Sequence, residues 1–143
     1  MACEKMQSDF RLKGTYDLEA LEELISSLQE VSLQGAAIIV EGRRDEQALR
    51  ALGLKGPVIM ASRWPALDLA ENAARSFSQV VLLTDWDEKG DEMAKTIEVH
   101  LRSAGLRPDL EIRSRLKKLV KKEIKDVESL SFYVERMREQ NGP

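Results

Sequence analysis

The sequence has 143 residues, room for one hydrophobic core, which excludes a multidomain polymerase or a two-lobed enzyme. Apolar residues make up 43% and charged residues 33%, with 8 glycines and 4 prolines, a balance that excludes disordered, collagenous and repeat classes. With 22 Lys plus Arg against 25 Asp plus Glu the formal charge is −3, so any attraction to nucleic acid has to be local. The single cysteine, Cys3, leaves no internal disulfide or Cys-rich zinc site and points to a reducing cytoplasm. The charged stretch Met1 to Lys13 lacks a signal-peptide core and no apolar run reaches spanning length, so neither export nor membrane insertion is expected.

In chain order, Leu18, Leu21, Leu24, Ile25, Leu28 and Val31 recur at helical spacing and predict an amphipathic helix from Asp17 to Ser32. Ala36 to Val40 is a continuous apolar run between Gly35 and Gly42, the pattern of a strand covered on both faces. A helix follows from about Asp45 to Leu52. Gly56-Pro57 then precedes a second strand, Val58 to Met60, and Pro65 opens a second crossover helix. Val80 to Thr84 is the most strand-like run, followed by a helix from Gly90 to Ala104 that Gly105 stops. A weak fourth strand is expected at Leu110 to Ile112, then helices from about Arg115 to Lys122 and Val127 to Glu139. Alternating strands and helices on short connections predict an α/β fold, a three-layer domain with a mostly parallel sheet of about four strands.

In such sheets ligands bind beyond the carboxyl ends of the strands. Glu41 follows the first strand there and Asp85 and Asp87 follow the third. In extended chain Asp85 and Asp87 share a face, with Trp86 directed oppositely. Carboxylates crowded at one edge repel each other unless a cation compensates. With oxygen ligands only, Mg²⁺ or Mn²⁺ is the expected ion. Taken alone, an Asp-x-Asp also reads as a turn and a helix cap.

The combination decides between these readings. Glu41-Gly42-Arg43-Arg44-Asp45 after one strand and Asp85-Trp86-Asp87-Glu88-Lys89-Gly90 two strands later resemble the paired signatures of the Toprim domain shared by topoisomerases and primases. The tail from Arg113 to Leu130 is similar to small Toprim proteins of bacteria and archaea and to the Toprim ribonucleases that mature ribosomal RNA precursors. The resemblance implies a helical extension at 1–34, a Toprim domain at 35–130 and a C-terminal helix and tail at 131–143. It further implies Glu41 as the proton-transfer residue or an additional metal ligand, with Asp85 and Asp87 holding Mg²⁺. Gly42 would admit close backbone approach, Gly90 would open a helix whose N-terminus favours an anion, and Asp45 would cap the helix after Glu41.

The segment from Arg113 to Lys125 holds seven basic residues and one acidic, a local charge of +6 against −9 elsewhere. Its periodicity exposes Lys117, Lys118, Lys121 and Lys122 for phosphate contact, although charge runs also occur as plain solvated helix faces. Arg43, Arg44 and Lys89 stand nearer the acidic motifs and are better placed for a reacting phosphate. His100 reads as a packing residue, and Tyr16 and Tyr133 lack the context of a nucleophile. No P-loop, dinucleotide fingerprint or Gly-x-Ser-x-Gly elbow occurs. The expectation is a Mg²⁺-dependent phosphotransfer enzyme, a nuclease on structured RNA before DNA. The alternative is a non-catalytic nucleic-acid-binding or adaptor module working with a larger partner or RNA-processing complex.

Overall fold

The computed structural model describes the backbone of residues 2–141 and the side chains from Asp17 onward, so Cys3 and Tyr16 lie outside the described side chains. Helix α1 spans Ala2–Leu33, beginning well before the predicted Asp17, and buries Leu21, Leu24, Ile25 and Leu28 of the predicted stripe, with Leu18 and Val31 half-buried. Its end is fixed by Gly35, whose positive φ of 96° needs a residue without a Cβ. The Ala36 amide then bonds back to the Val31 carbonyl at 3.0 Å, turning the chain straight into the sheet.

Strands β1 (Ala37–Val40), β2 (Val58–Met60) and β3 (Val80–Leu82) form a parallel sheet in the order β2-β1-β3. All four residues of β1 are buried, because the central strand has helices on both faces. Ile38 and Val40 of β1 and Val81 of β3 face the core built with α1, α2 (Arg43–Ala51), α5 (Glu111–Val120) and α6 (Leu130–Asn141). Ala37, Ile39, Val80 and Leu82 face the other core, against α3 (Ala66–Ser76) and α4 (Glu88–Ser103). Each large aliphatic side chain buried there contributes about 1.5–3 kcal/mol. Two such cores hold the strand ends rigidly enough to carry crowded charge.

The sheet has three strands, not about four, and the difference has a local cause. At the expected fourth strand only Asp109 pairs with the sheet, as an isolated bridge to Val81. The Asp109 Oδ1 then accepts the Glu111 amide at 2.8 Å, a turn that starts α5 at Glu111. Ile112 consequently enters the core from a helix, on one face with Leu116 and Val120, and α5 begins four residues before the predicted Arg115. Helix α2 likewise starts early, at Arg43, with Gly42 as its N-cap. Helix α6 starts later than expected because Asp126 accepts the Ser129 amide at 2.8 Å and holds Val127 in the preceding turn. No helix among the described residues is long and apolar enough to cross a membrane.

Candidate functional site

With β1 in the middle, the chain leaves it toward β2 on one side while β3 lies on the other. Between the carboxyl ends of β1 and β3 lies the switch point, where crossovers diverge and an open crevice results. Pairing there continues past the strands, the Leu83 amide donating to the Ile39 carbonyl at 2.8 Å. Glu41 and Asp85 therefore emerge side by side. The Asp85 amide donates to Glu41 Oε2 at 2.8 Å, which orients the glutamate across the gap between strands.

Each remaining acidic side chain is also held by backbone. Asp85 Oδ1 accepts the Val127 amide at 3.0 Å. Asp87 is the N-cap of α4, its Oδ1 accepting the Gly90 amide at 2.7 Å, so the helix-cap reading of this aspartate holds in the geometry. Asp45, at the third position of α2, accepts the Gly42 amide through Oδ2 at 3.0 Å; it braces the helix start rather than standing at its N-cap. Gly90 lies inside α4, and a Cβ there would overlap the Asp85 carbonyl oxygen. The glycine is thus required by close approach of α4 to the Asp85 backbone, with the Thr84 hydroxyl donating to the Gly90 carbonyl at 2.8 Å.

Charge is concentrated on this edge. Burial pushes the Asp85 carboxyl up to about 7 against the pull of the Val127 amide, and the carboxylates of Asp45 and Glu41 push in the same direction. Asp45 is held above the usual carboxylate range by burial first, then by Glu41, Glu128 and Asp126. Such mutual repulsion costs stability unless a cation enters. The donor set is entirely oxygen, which suits Mg²⁺ or Mn²⁺. Among the described residues no three His, Cys, Asp or Glu side chains converge into a ready-made cage. An ion would accordingly be held by one or two carboxylates, with water or a phosphate oxygen completing its shell, the usual mode for Mg²⁺. The residues fit the ion in that form.

A buried cation supports the loop from behind. Arg113 is 8% exposed and donates to the Thr84 carbonyl at 3.0 Å, to the Asp85 carbonyl and to Asp91 Oδ1 at 2.6 Å. Lys117, read from sequence as a phosphate contact, donates to Asp91 Oδ2 at 2.7 Å. These two hydrogen bonds hold the Asp91 carboxyl below its ordinary range. Lys118, Lys121, Lys122 and Lys125 are exposed, as are Arg43, Arg44 and Lys89, with Arg44 3.6 Å from Glu128. His100 is half-buried on α4, and Tyr133 packs against the core, where burial raises its hydroxyl pKa.

Two contributors escaped the sequence reading. Arg113 is one of the seven basic residues of the segment, and its spacing to Leu116 and Val120 places it on the inward face of α5. The stretch from Ile124 to Glu128 forms the third wall. The Trp86 ring Nε1 donates to the Ile124 carbonyl at 2.7 Å and its amide to the Lys125 carbonyl at 3.0 Å. This brings Asp126 and Glu128 beside the motif, a proximity that no local pattern encodes.

The Toprim domain family matches residues 36–128, from the strand before Glu41 through this third wall. The chain is 46% identical over 125 residues to a UPF0292 protein of Methanosarcina barkeri, covering 87% of each chain. It is 45% identical over 108 residues to a UPF0292 protein of Thermococcus gammatolerans, covering 76% of this chain and 78% of that one. A solved structure of a protein from Aquifex aeolicus superposes with a TM-score of 0.66 at 30% identity, covering 76% of this chain and 95% of the other. The chain belongs to the Toprim domain family, nucleic-acid-related modules that typically bind divalent metal ions, and within it to the UPF0292 proteins.

Proposed function

We propose that this protein is a Mg²⁺-dependent nuclease acting on structured RNA, with its reacting phosphate at the edge formed by Glu41, Asp85 and Asp87. The observation that carries the reading is the Glu41–Asp85 juxtaposition: the Asp85 backbone amide donates to Glu41 Oε2 at 2.8 Å at the switch point, and the Asp85 carboxyl has its pKa raised to about 7. A divalent ion bound there would neutralise phosphate charge and stabilise an oxygen nucleophile or leaving group. Asp85 and Asp87 are the residues that would hold it, and Glu41 is the proton carrier. Because Glu41 Oε2 is fixed by the Asp85 amide, Oε1 is the oxygen that takes a proton from the attacking hydroxyl. Exposed Arg43, Arg44 and Lys89 flank the edge and hold the phosphate in place. Lys118, Lys121 and Lys122 extend a positive track for the backbone further along the substrate.

Cleavage of a panel of RNA hairpins, single-stranded RNA and DNA in Mg²⁺ and in EDTA tests the reading. Wild type is expected to cut structured RNA only with metal, and Glu41→Gln and Asp85→Asn to fall by roughly a hundred- to ten-thousand-fold, the range for loss of an acid–base group. Equal activity in all three proteins sinks the nuclease reading. RNA binding that weakens with salt, combined with no metal-dependent product, would instead favour the adaptor module.

A further inference from the structure

Beside the acidic edge lies a hollow of about 320 Å³ between the turn after β2 and the outer side of α4. Its wall includes Trp64, Leu69, Lys89, Glu92 and Met93. Trp64 is 47% exposed and leaves an aromatic face open at the wall. It also lines a second hollow, of about 360 Å³, along edge strand β2, so its ring is approached from two sides. Each wall of the hollow adjoins the acidic edge. The Ser62 amide donates to the Glu41 carbonyl at 2.9 Å, two residues before Trp64, and Lys89 lies two residues after Asp87.

Resting on the proposed function, we infer that this hollow receives an unpaired nucleobase next to the reacting phosphate, stacked on Trp64. The charges match that occupant. Lys89 and Glu92 together leave the wall near neutral, which suits an uncharged base, and the Glu92 carboxylate can accept from an exocyclic amino group. Arg63, exposed at the rim, meets the adjoining phosphate. Stacking on an aromatic tolerates any base, so the enzyme selects an unpaired position in its substrate rather than a sequence. A base inside a continuous duplex cannot enter without leaving its stack.

The test measures binding in Mg²⁺ on the Glu41→Gln background, so that no cleavage intervenes. The probes are a short single-stranded RNA, the same RNA with one abasic residue placed at each position in turn, and a blunt RNA duplex. Trp64→Ala is expected to weaken binding of the single strand roughly 5- to 100-fold and Trp64→Phe to restore most of it. The dependence on salt stays unchanged, since stacking releases no counterions. One abasic position should reproduce the loss in the Trp64 protein and add nothing to Trp64→Ala, while the duplex is indifferent to both. Unchanged single-strand affinity in Trp64→Ala overturns the inference and leaves the nuclease reading standing. Altered sedimentation with unchanged RNA affinity overturns it in favour of self-association. No RNA binding by this protein or by wild type removes both readings.

Discussion

Gly90→Ala is expected to destabilise the protein by about 3 kcal/mol, against the rule for helices. At an exposed interior helical position the same change adds about 1 kcal/mol of stability. Here the new methyl meets the Asp85 carbonyl oxygen and carbon, main-chain atoms that cannot swing aside. That carbonyl is also held by Arg113, so relief requires moving the segment that carries Asp85. Urea unfolding reads the loss as a lower midpoint with an unchanged slope. Gly42→Ala is the control: its φ is −151°, extended backbone open to any residue, and the nearest atom to a new Cβ is Ser62 Oγ at 4.0 Å. With alanine a poorer N-cap than glycine, it should lose no more than about 1 kcal/mol. A stabilised Gly90→Ala would show that α4 does not press on the acidic loop.

Arg113→Met is expected to cost about 1–3 kcal/mol, the range for leaving a buried hydrogen-bond acceptor without its donor. Methionine fills much of the same volume, so the loss measures hydrogen bonds rather than a cavity. The Thr84 carbonyl, on a residue that is fully buried, loses its donor, and Asp91 keeps only Lys117. Arg113→Lys restores the charge but not the planar fork that reaches the two carbonyls and the carboxylate, and recovers only part of the loss. A change below about 1 kcal/mol in Arg113→Met would mean that the guanidinium does not brace the loop. Since Arg113 touches the Asp85 backbone and no substrate, it acts as a positioning residue.

What could be read from the sequence was what repeats or what is apolar. The three strands are short apolar runs, the first two punctuated by glycine or proline, and in β1 and β3 burial on both faces leaves them no alternative. Their order put Glu41 and Asp85 at carboxyl ends, and parallel pairing then made them neighbours. The fourth strand failed because Leu110 and Ile112 satisfy strand alternation while Ile112, Leu116 and Val120 satisfy helical spacing equally well. An aspartate side-chain bond to the Glu111 amide settled the contest. Lys117 and Arg113 show the complementary limit. Composition counts them as two positive charges in a patch, whereas the fold brings Asp91 from α4 to pair with both and offset one of them. Long-range juxtapositions of single polar groups, such as Val127 on Asp85 or Trp64 beside Lys89, leave no periodic trace.

Thermal unfolding of wild type and Asp85→Asn measures whether burial and crowding of charge at the Glu41–Asp85 edge destabilise the metal-free fold and are relieved by a cation. Because the Asp85 carboxyl sits at about 7 in the fold against 3.9 in an unfolded chain, the unfolded state binds fewer protons between those values. Metal-free stability therefore falls as pH rises from about 4 to about 7, where both forms become ionised. Asparagine keeps an acceptor for the Val127 amide and removes the charge. In EDTA at pH 8 Asp85→Asn should unfold several degrees above wild type, with the advantage vanishing near pH 4. Saturating Mg²⁺ at one hundred times its dissociation constant should then raise wild type by about 2.7 kcal/mol and leave Asp85→Asn nearly unmoved. A less stable Asp85→Asn in EDTA, or a wild type indifferent to Mg²⁺, would contradict the account.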